Sequence, residues 1–254
     1  MIDFHSHVLP GIDDGIKELE HTYEVLKEAE VAGFDTVIAT SHYMENFYEE
    51  NERRRKETVN KINRKCKKEG INVRVVVGSE IYITENILKL LKDKEASTIG
   101  GSKYILMETP MELLPINFNF VVDELKRKGY KIILAHPERY KFIQENPTIV
   151  EDFIDRGMYM QCNYASVIGK YGKEAKKTVE LLLKHHLVHF MGTDVHRRLY
   201  TYPAVDKAIR RIIKITDEEY FEEISTINAE KVLNKEELEV EEVGQIVQTM
   251  LWYK

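Results

Sequence analysis

Six short apolar runs along this chain each give way, always on the C-terminal side, to a histidine or a carboxylate. Ile2-Asp3-Phe4 leads to His5 and His7, Thr36 to Thr40 to His42, and Val73 to Gly78 to Glu80. Tyr104 to Met107 leads to Glu108, Lys131 to Ala135 to His136, and Val188 to Gly192 to Asp194 and His196. A seventh run, Met158 to Cys162, leads to Asn163. Between the runs the apolar spacing becomes helical: Phe118, Val121, Val122 and Leu125 share one face, as do Val179, Leu182, Leu183 and His186, and again Val205, Ala208, Ile209 and Ile212. Strand alternating with helix predicts a parallel sheet covered by helices, and near-continuous apolar strands fit burial on both faces. Gly33, Gly70, Gly129 and Gly157 each stand just ahead of a strand, where a helix must stop in the left-handed conformation that glycine accepts.

Seven strands with about seven helices predict a (β/α)7 barrel, one strand short of the eight-stranded form. With 254 residues and no Pro/Gly/Ser-rich linker, a single domain over 1–254 is expected, with 236–254 as a peripheral acidic segment and tail. Asn51 to Lys68 is highly charged and reads as a solvated helix. Cys66 and Cys162 stand in no CxxC or zinc-finger spacing and read as reduced thiols. The start has no basic n-region or long apolar core, and no apolar stretch approaches the roughly 20 residues that span a bilayer. A cytoplasmic protein without a membrane span is expected.

In a parallel barrel the strand ends meet at one mouth, where function resides. His5-Ser6-His7 places two imidazoles two residues apart, on one side of an extended segment. Gly11-Ile12-Asp13-Asp14-Gly15 is a tight turn that can fold an acid over the site, and Asp194-Val195-His196 repeats the two-apart spacing at the last strand. The candidate ligands are His5, His7, Asp14, His42, Glu80, Glu108, His136, Asp194 and His196. Five histidines and four carboxylates are too many for one ion; two or three divalent ions fit better, and mixed imidazole and carboxylate donors without thiolate suit manganese, iron or zinc. His21, His185, His186 and His189 fall in helices or inside a strand and read as structural.

The formal net charge of -6 disfavours a nucleic-acid partner, whereas bound cations would let an anionic phosphate enter. Arg139, three residues past His136, is read as a phosphate holder with a salt bridge to Glu138 or Asp14 as its alternative. Arg197 and Arg198 can serve similarly or be solvated. Tyr43, Phe47 and Tyr48, after His42, can wall a substrate ring or pack beneath the loop.

Together, Asp3-Phe4-His5-Ser6-His7, the Gly11 to Gly15 loop, Thr40-Ser41-His42, Gly78-Ser79-Glu80-Ile81-Tyr82, His136-Pro137-Glu138-Arg139-Tyr140 and Thr193-Asp194-Val195-His196 resemble the PHP superfamily. More narrowly, they are similar to its bacterial manganese-dependent protein-tyrosine phosphatases, which act on tyrosine kinases controlling capsule and exopolysaccharide synthesis. The resemblance runs from residue 2 to about 235. It implies a distorted (β/α)7 barrel and three divalent ions, manganese first and iron or zinc as alternatives. By the same resemblance His5, His7, Glu80 and Asp194 surround one ion, Glu80, Glu108 and His136 a second, and Asp14, His42 and His196 a third. Arg139 orients the phosphate, and Asp14 or His196 assists the leaving group. The expected reaction is metal-assisted hydrolysis of phosphotyrosine on protein, the substrate being a bacterial tyrosine kinase. Another PHP phosphoesterase, acting on histidinol phosphate or another small molecule, is the alternative; a ligand-holding regulatory protein without turnover is the rival from another class.

Overall fold

A computed structural model describes residues 1–197, 199, 201–238 and 246. Among these, nine strands form two all-parallel sheets. In chain order they are β1 (Ile2–Ser6), β2 (Thr36–Ala39), β3 (His42–Tyr43), β4 (Arg74–Val77), β5 (Glu80–Tyr82), β6 (Tyr104–Glu108), β7 (Lys131–Ala135), β8 (Tyr159–Asn163) and β9 (Phe190–Gly192). One sheet has the order β1-β2-β4 and the other β3-β5-β6-β7-β8-β9. The pairs β2/β3 and β4/β5 are each one extended run, broken for two residues. Hydrogen bonding continues through the breaks, since Gly78 N donates to Ala39 O at 2.9 Å and Glu80 N to Thr40 O at 2.9 Å. The sheet curls until its last strand meets its first: Asp194 N donates to His5 O at 2.7 Å, His7 N to Val195 O at 3.0 Å, and Ser6 bridges Val195 in parallel.

Two apolar layers follow from the period of two along a strand. Ile2, Phe4, Ile38, Val76, Leu106, Ile133, Tyr159 and Phe190 face the inside of the curl. Val37, Val75, Ile105, Met107, Ile132, Leu134 and Met160 face outward under the helices. The expected helix faces are the buried ones: Phe118, Val121, Val122 and Leu125 in Phe118–Arg127, and Val179, Leu182 and Leu183 in Lys173–Lys184. Gly33, Gly70, Gly129 and Gly157 all have positive φ. Segment 236–238 lies against the sheet, with Leu238 N accepted by Tyr104 Oη at 2.9 Å and Leu238 O receiving Tyr159 Oη at 3.1 Å. Of the expected tail, only Ile246 is otherwise described; 239–245 and 247–254 lie outside the described residues. No helix among the described residues is long and apolar enough to cross a membrane.

Both cysteines are buried free thiols. His189 lies one residue before β9, and its Nδ1 accepts from Met160 N at 3.1 Å while its carbonyl holds Asn228. Burial lowers this imidazole from an ordinary 6.5 to about 4. Unfolding therefore takes up a proton between those values, so the stability that neutral His189 confers is complete above pH 6.5 and is lost as pH falls toward 4. Denaturant titrations of the parent should lose about 3 kcal/mol across that window from this group. His189→Asn, which keeps an acceptor for Met160, should flatten the slope; an unchanged slope would mean that the imidazole is not held neutral.

Candidate metal centre

Parity along the strands delivers most of the candidate side chains. Ile38, Thr40 and His42 alternate on one side of their run, as do Val76, Gly78 and Glu80, then Leu106 and Glu108, then Phe190, Gly192 and Asp194. In each case the apolar residue that begins the series lines the inside of the curl, so the polar one that ends it emerges over the same opening. His5 and His7 are out of step with Ile2 and Phe4. The register of β1 against β2 shifts between Asp3 and Ser6, and the extra residue turns the pair inward. His136 is likewise one residue out of step and sits in left-handed backbone at φ 33°. Asp194 is also left-handed, at φ 53°. Two non-glycine residues in that sparsely populated region are held there by their surroundings.

Two glycines make room. A Cβ on Gly192 would lie 2.6 Å from His5 Cβ, and one on Gly15 would lie 2.5 Å from His7 Cβ, so neither position tolerates a side chain without displacing an imidazole.

The nine candidate residues converge, grading from a buried floor to an open lip. His5, His7, Glu80 and His136 are essentially inaccessible, whereas the Asp14 side chain is 54% exposed and that of His196 28%. Glu80 is the hub. Its carboxylate lies 3.2 Å from His5 Nε2, 3.3 Å from His7 Nε2, 3.1 Å from His42 Nδ1 and 2.8 Å from His136 Nε2. Asp194 Oδ1 is 3.7 Å from His5 Nε2, 3.4 Å from His7 Nε2 and 3.5 Å from His196 Nδ1. Glu108 reaches His42 at 3.5 Å and His136 at 3.7 Å, and Asp14 reaches His196 at 3.4 Å and His42 at 3.8 Å. Three overlapping groups each bring their ligand atoms within 4.8 Å of one another: His5, His7 and Glu80; His42, Glu80 and Glu108; and His7, Asp14, His42 and His196.

His5 and His7 decide what such a cluster is for. His5 Nδ1 faces the side-chain amide Oε1 of Gln161 at 2.7 Å, and His7 Nδ1 faces the Asp13 carboxylate at 2.7 Å. Both acceptors call for Nδ1–H; burial opposes charge on the rings, yet the neighbouring carboxylates raise both imidazoles, so each Nε2 is placed to carry a proton or to meet a cation. Those two nitrogens lie 3.1 Å apart, with Glu80 and Asp194 beside them. Lone pairs so close repel unless a cation or a proton stands between them. Burial first, then Glu80 and Asp194, push the Glu108 carboxyl up to about 9, so a proton or a cation is favoured on it. Burial works against charge on Glu80 and Asp194 as well, yet His5 and its neighbouring imidazoles hold both carboxylates well below their ordinary range. The donor set fits divalent ions.

Several residues that sequence reasoning passed over hold the cluster in place. Asp13, read only as part of a turn, orients His7 and accepts from Gly15 N and His42 N at 3.0 Å and 2.8 Å. Gln161 and Asn163 extend the inward side of β8; Asn163 Nδ2 donates to Asp194 Oδ2 at 2.9 Å. Arg55 is fully buried, although its helix, Glu52–Glu69, is solvated on its other side. Its guanidinium donates to Glu50 O, Ser41 O and His42 O, each at 2.7 Å. Period-two parity past Tyr159 was a usable signal for Gln161; nothing local marks Arg55.

Arg139 pairs with neither Glu138 nor Asp14. Its Nη1 donates to Asp194 Oδ2 at 2.7 Å and its guanidinium lies 4.3 Å over the Tyr171 ring. Glu138 is buried elsewhere, accepting from Asn163 N and Ser166 Oγ. Of the three aromatics after His42, Tyr43 is buried in the core, Phe47 is 72% exposed, and Tyr48 stacks on His42 with ring centroids 5.9 Å apart. Arg197 is exposed, and Arg198 lies outside the described residues.

The sequence profile of capsular polysaccharide synthesis proteins CpsB/CapC matches residues 1–234. The chain belongs to the CpsB/CapC family. The tyrosine-protein phosphatase YwqE of Bacillus subtilis (strain 168) is 32% identical over 196 residues, 77% of each chain. A chain from the crystal structures of YwqE from Bacillus subtilis and CpsB from Streptococcus pneumoniae, described as unique metal-dependent tyrosine phosphatases, superposes with a TM-score of 0.89 at 29% identity, covering 97% of this chain and 99% of that one. Histidinol phosphate phosphatase from Lactococcus lactis subsp. lactis shares the fold alone, with a TM-score of 0.56 at 14% identity over 85% of this chain and 93% of that one.

Within this CpsB/CapC chain, Gln161→Leu removes the acceptor that fixes His5 without touching a candidate ligand. Metal affinity, read by competition with a chromophoric chelator, should fall about 10- to 100-fold with the fold retained by circular dichroism. Unchanged affinity would show that the His5 tautomer does not matter to metal binding.

Proposed function

We propose that this chain is a metal-dependent protein-tyrosine phosphatase, a single domain folded as a distorted (β/α)7 barrel of PHP type. Its substrate would be phosphotyrosine on a protein, a bacterial tyrosine kinase of capsular or exopolysaccharide synthesis, acted on in the cytoplasm. The observation that carries the reading is the pair of His5 and His7 Nε2 atoms 3.1 Å apart among buried carboxylates, in a family whose relatives are named tyrosine-protein phosphatases. Seven strand runs whose last hydrogen-bonds beside the first support the barrel.

Three divalent ions, manganese first, are the proposed occupants. The distances support His5, His7, Glu80 and Asp194 around one, Glu80, Glu108 and His136 around a second, and Asp14, His42 and His196 around a third. Such ions would supply hydroxide at neutral pH and positive charge against phosphoryl oxygens. The rest falls to side chains. Arg139 spends one N–H on Asp194, and the others of its five are free to hold phosphate oxygens in a planar fork. Tyr171 beneath it fixes the plane of that fork. A tyrosinate leaves with little help; Asp14 and His196, the most exposed pair of the nine, are assigned to the leaving-group side.

Dialysis against a chelator should abolish hydrolysis of a phosphotyrosyl peptide and manganese should restore it. His42→Ala and Glu108→Ala should lose metal and turnover together, measured by elemental analysis beside the assay. Full activity in a metal-free preparation would end this reading, and faster turnover of histidinol phosphate than of the peptide would move it to the small-molecule branch. Arg139→Ala should raise KM and weaken phosphate inhibition about 10- to 100-fold with metal retained. Loss of metal instead would make Arg139 a support for Asp194.

A further inference from the structure

Helix Glu52–Glu69 is out of keeping with the rest of the chain. It holds nine Lys or Arg against three Glu, a net charge of +6, whereas the chain as a whole carries -6 and the remainder therefore -12. Its buried stripe is Arg55, Val59, Ile62 and Cys66. At 100° per residue, Arg53, Lys61, Arg64, Lys67 and Lys68 fall on about a third of the circumference, opposite that stripe. Glu57 is the single acid among them. Lys56 pairs with Glu52, Arg54 with Glu50 at 3.6 Å and Lys65 with Glu69 at 3.6 Å, all within the helix or its entry. The five outward cations have no ion pair among the described residues. They form a row about 22 Å long at 1.5 Å per residue, which an extended peptide of about seven residues would match.

The helix that carries the row begins beside the candidate centre. The helix enters directly from the loop after His42, its first turn is tied by Glu52 N to Lys94 O, and Arg55 donates to the His42 carbonyl. Its far end lies away from the opening, where Asn63 exchanges two hydrogen bonds with Val75 of β4. We propose that this basic face is a docking strip for an acidic segment of the substrate protein, flanking the phosphotyrosine that enters the site. The inference rests on the phosphatase reading and adds to it a substrate class: phosphotyrosine next to a run of carboxylates. In a chain whose remainder carries a net -12, a face this basic gives orientation as well as affinity.

The test compares two phosphotyrosyl peptides, one with six flanking Asp/Glu residues and one with Gln in their place, the flank placed on either side, with a small aryl phosphate as control. With the manganese-loaded parent at low salt, KM for the acidic peptide should be about tenfold lower, and the difference should vanish near 0.5 M salt. Lys61→Glu, Arg64→Glu, Lys67→Glu and Lys68→Glu combined should erase the preference and leave aryl phosphate turnover unchanged. The same four changed to Gln repeat the test if the reversed helix fails to fold. Equal KM values in the parent, or a preference that survives the substitutions, would overturn the proposal. So would equal KM values together with sedimentation of the parent, but not the variant, on phosphatidylglycerol vesicles, which would make the strip a membrane contact. If no phosphoester is turned over by the loaded parent, the reaction itself has been misread, a result distinct from loss of the acidic preference.

Discussion

Two imidazole nitrogens held 3.1 Å apart, each with its proton committed to the opposite side of its ring, set the terms for everything around them. Gln161 and Asp13 take the Nδ1 protons of His5 and His7 and leave the Nε2 atoms facing one another. A buried arrangement of that kind calls for positive charge between the rings, and the surrounding carboxylates favour it, whether a proton or a metal ion brings it. Gly15 and Gly192 are small because the imidazoles need the volume. Asp194 is left-handed, and a trio of donors from Arg139, Asn163 and Tyr171 holds its Oδ2, so only Oδ1 turns to the imidazoles.

The fold serves this centre economically. A curled parallel sheet buries both faces of its strands, one against the inside of the curl and one under helices, and leaves only the strand ends to carry polar chemistry. The floor candidates are buried and the lip candidates are exposed. The gradient strengthens electrostatics where charge must be neutralised and leaves an approach for a side chain attached to a whole protein. Holding residues come from strands that supply no ligand: β8 contributes Gln161 and Asn163, and a helix outside the sheet contributes Arg55.

Arg55 also joins two parts of the molecule that would otherwise be read separately. Burial lowers its guanidinium to about 10, still charged at neutral pH, and three backbone carbonyls satisfy it. The same helix that sends this cation inward to brace His42 turns its remaining cations outward. One element thereby links the geometry of the centre to the electrostatics of the surface beside it.

The sequence by itself determined the repeat of strand and helix, the buried helix faces, the glycine stops and the nine polar residues at the strand ends, because periodicity and end position are local properties that no distant contact can erase. End position foretold that His42, Glu80, Glu108 and Asp194 would gather at one mouth, and strand parity with the inner apolar layer accounts for their direction. What only the tertiary structure decided was direction at the exceptions and partnership everywhere. The register shift that turns His5 and His7 inward exists because β1 pairs with β2, and the left-handed backbone at His136 and Asp194 is tolerated because packing holds it. Asp13, Gln161 and Arg55 look like a turn residue, a strand residue and one charge among many until the chain brings them beside His7, His5 and His42. The hydrogen bond that orients His5 joins residues 156 apart and leaves no trace in local spacing, whereas the one that orients His7 spans only six.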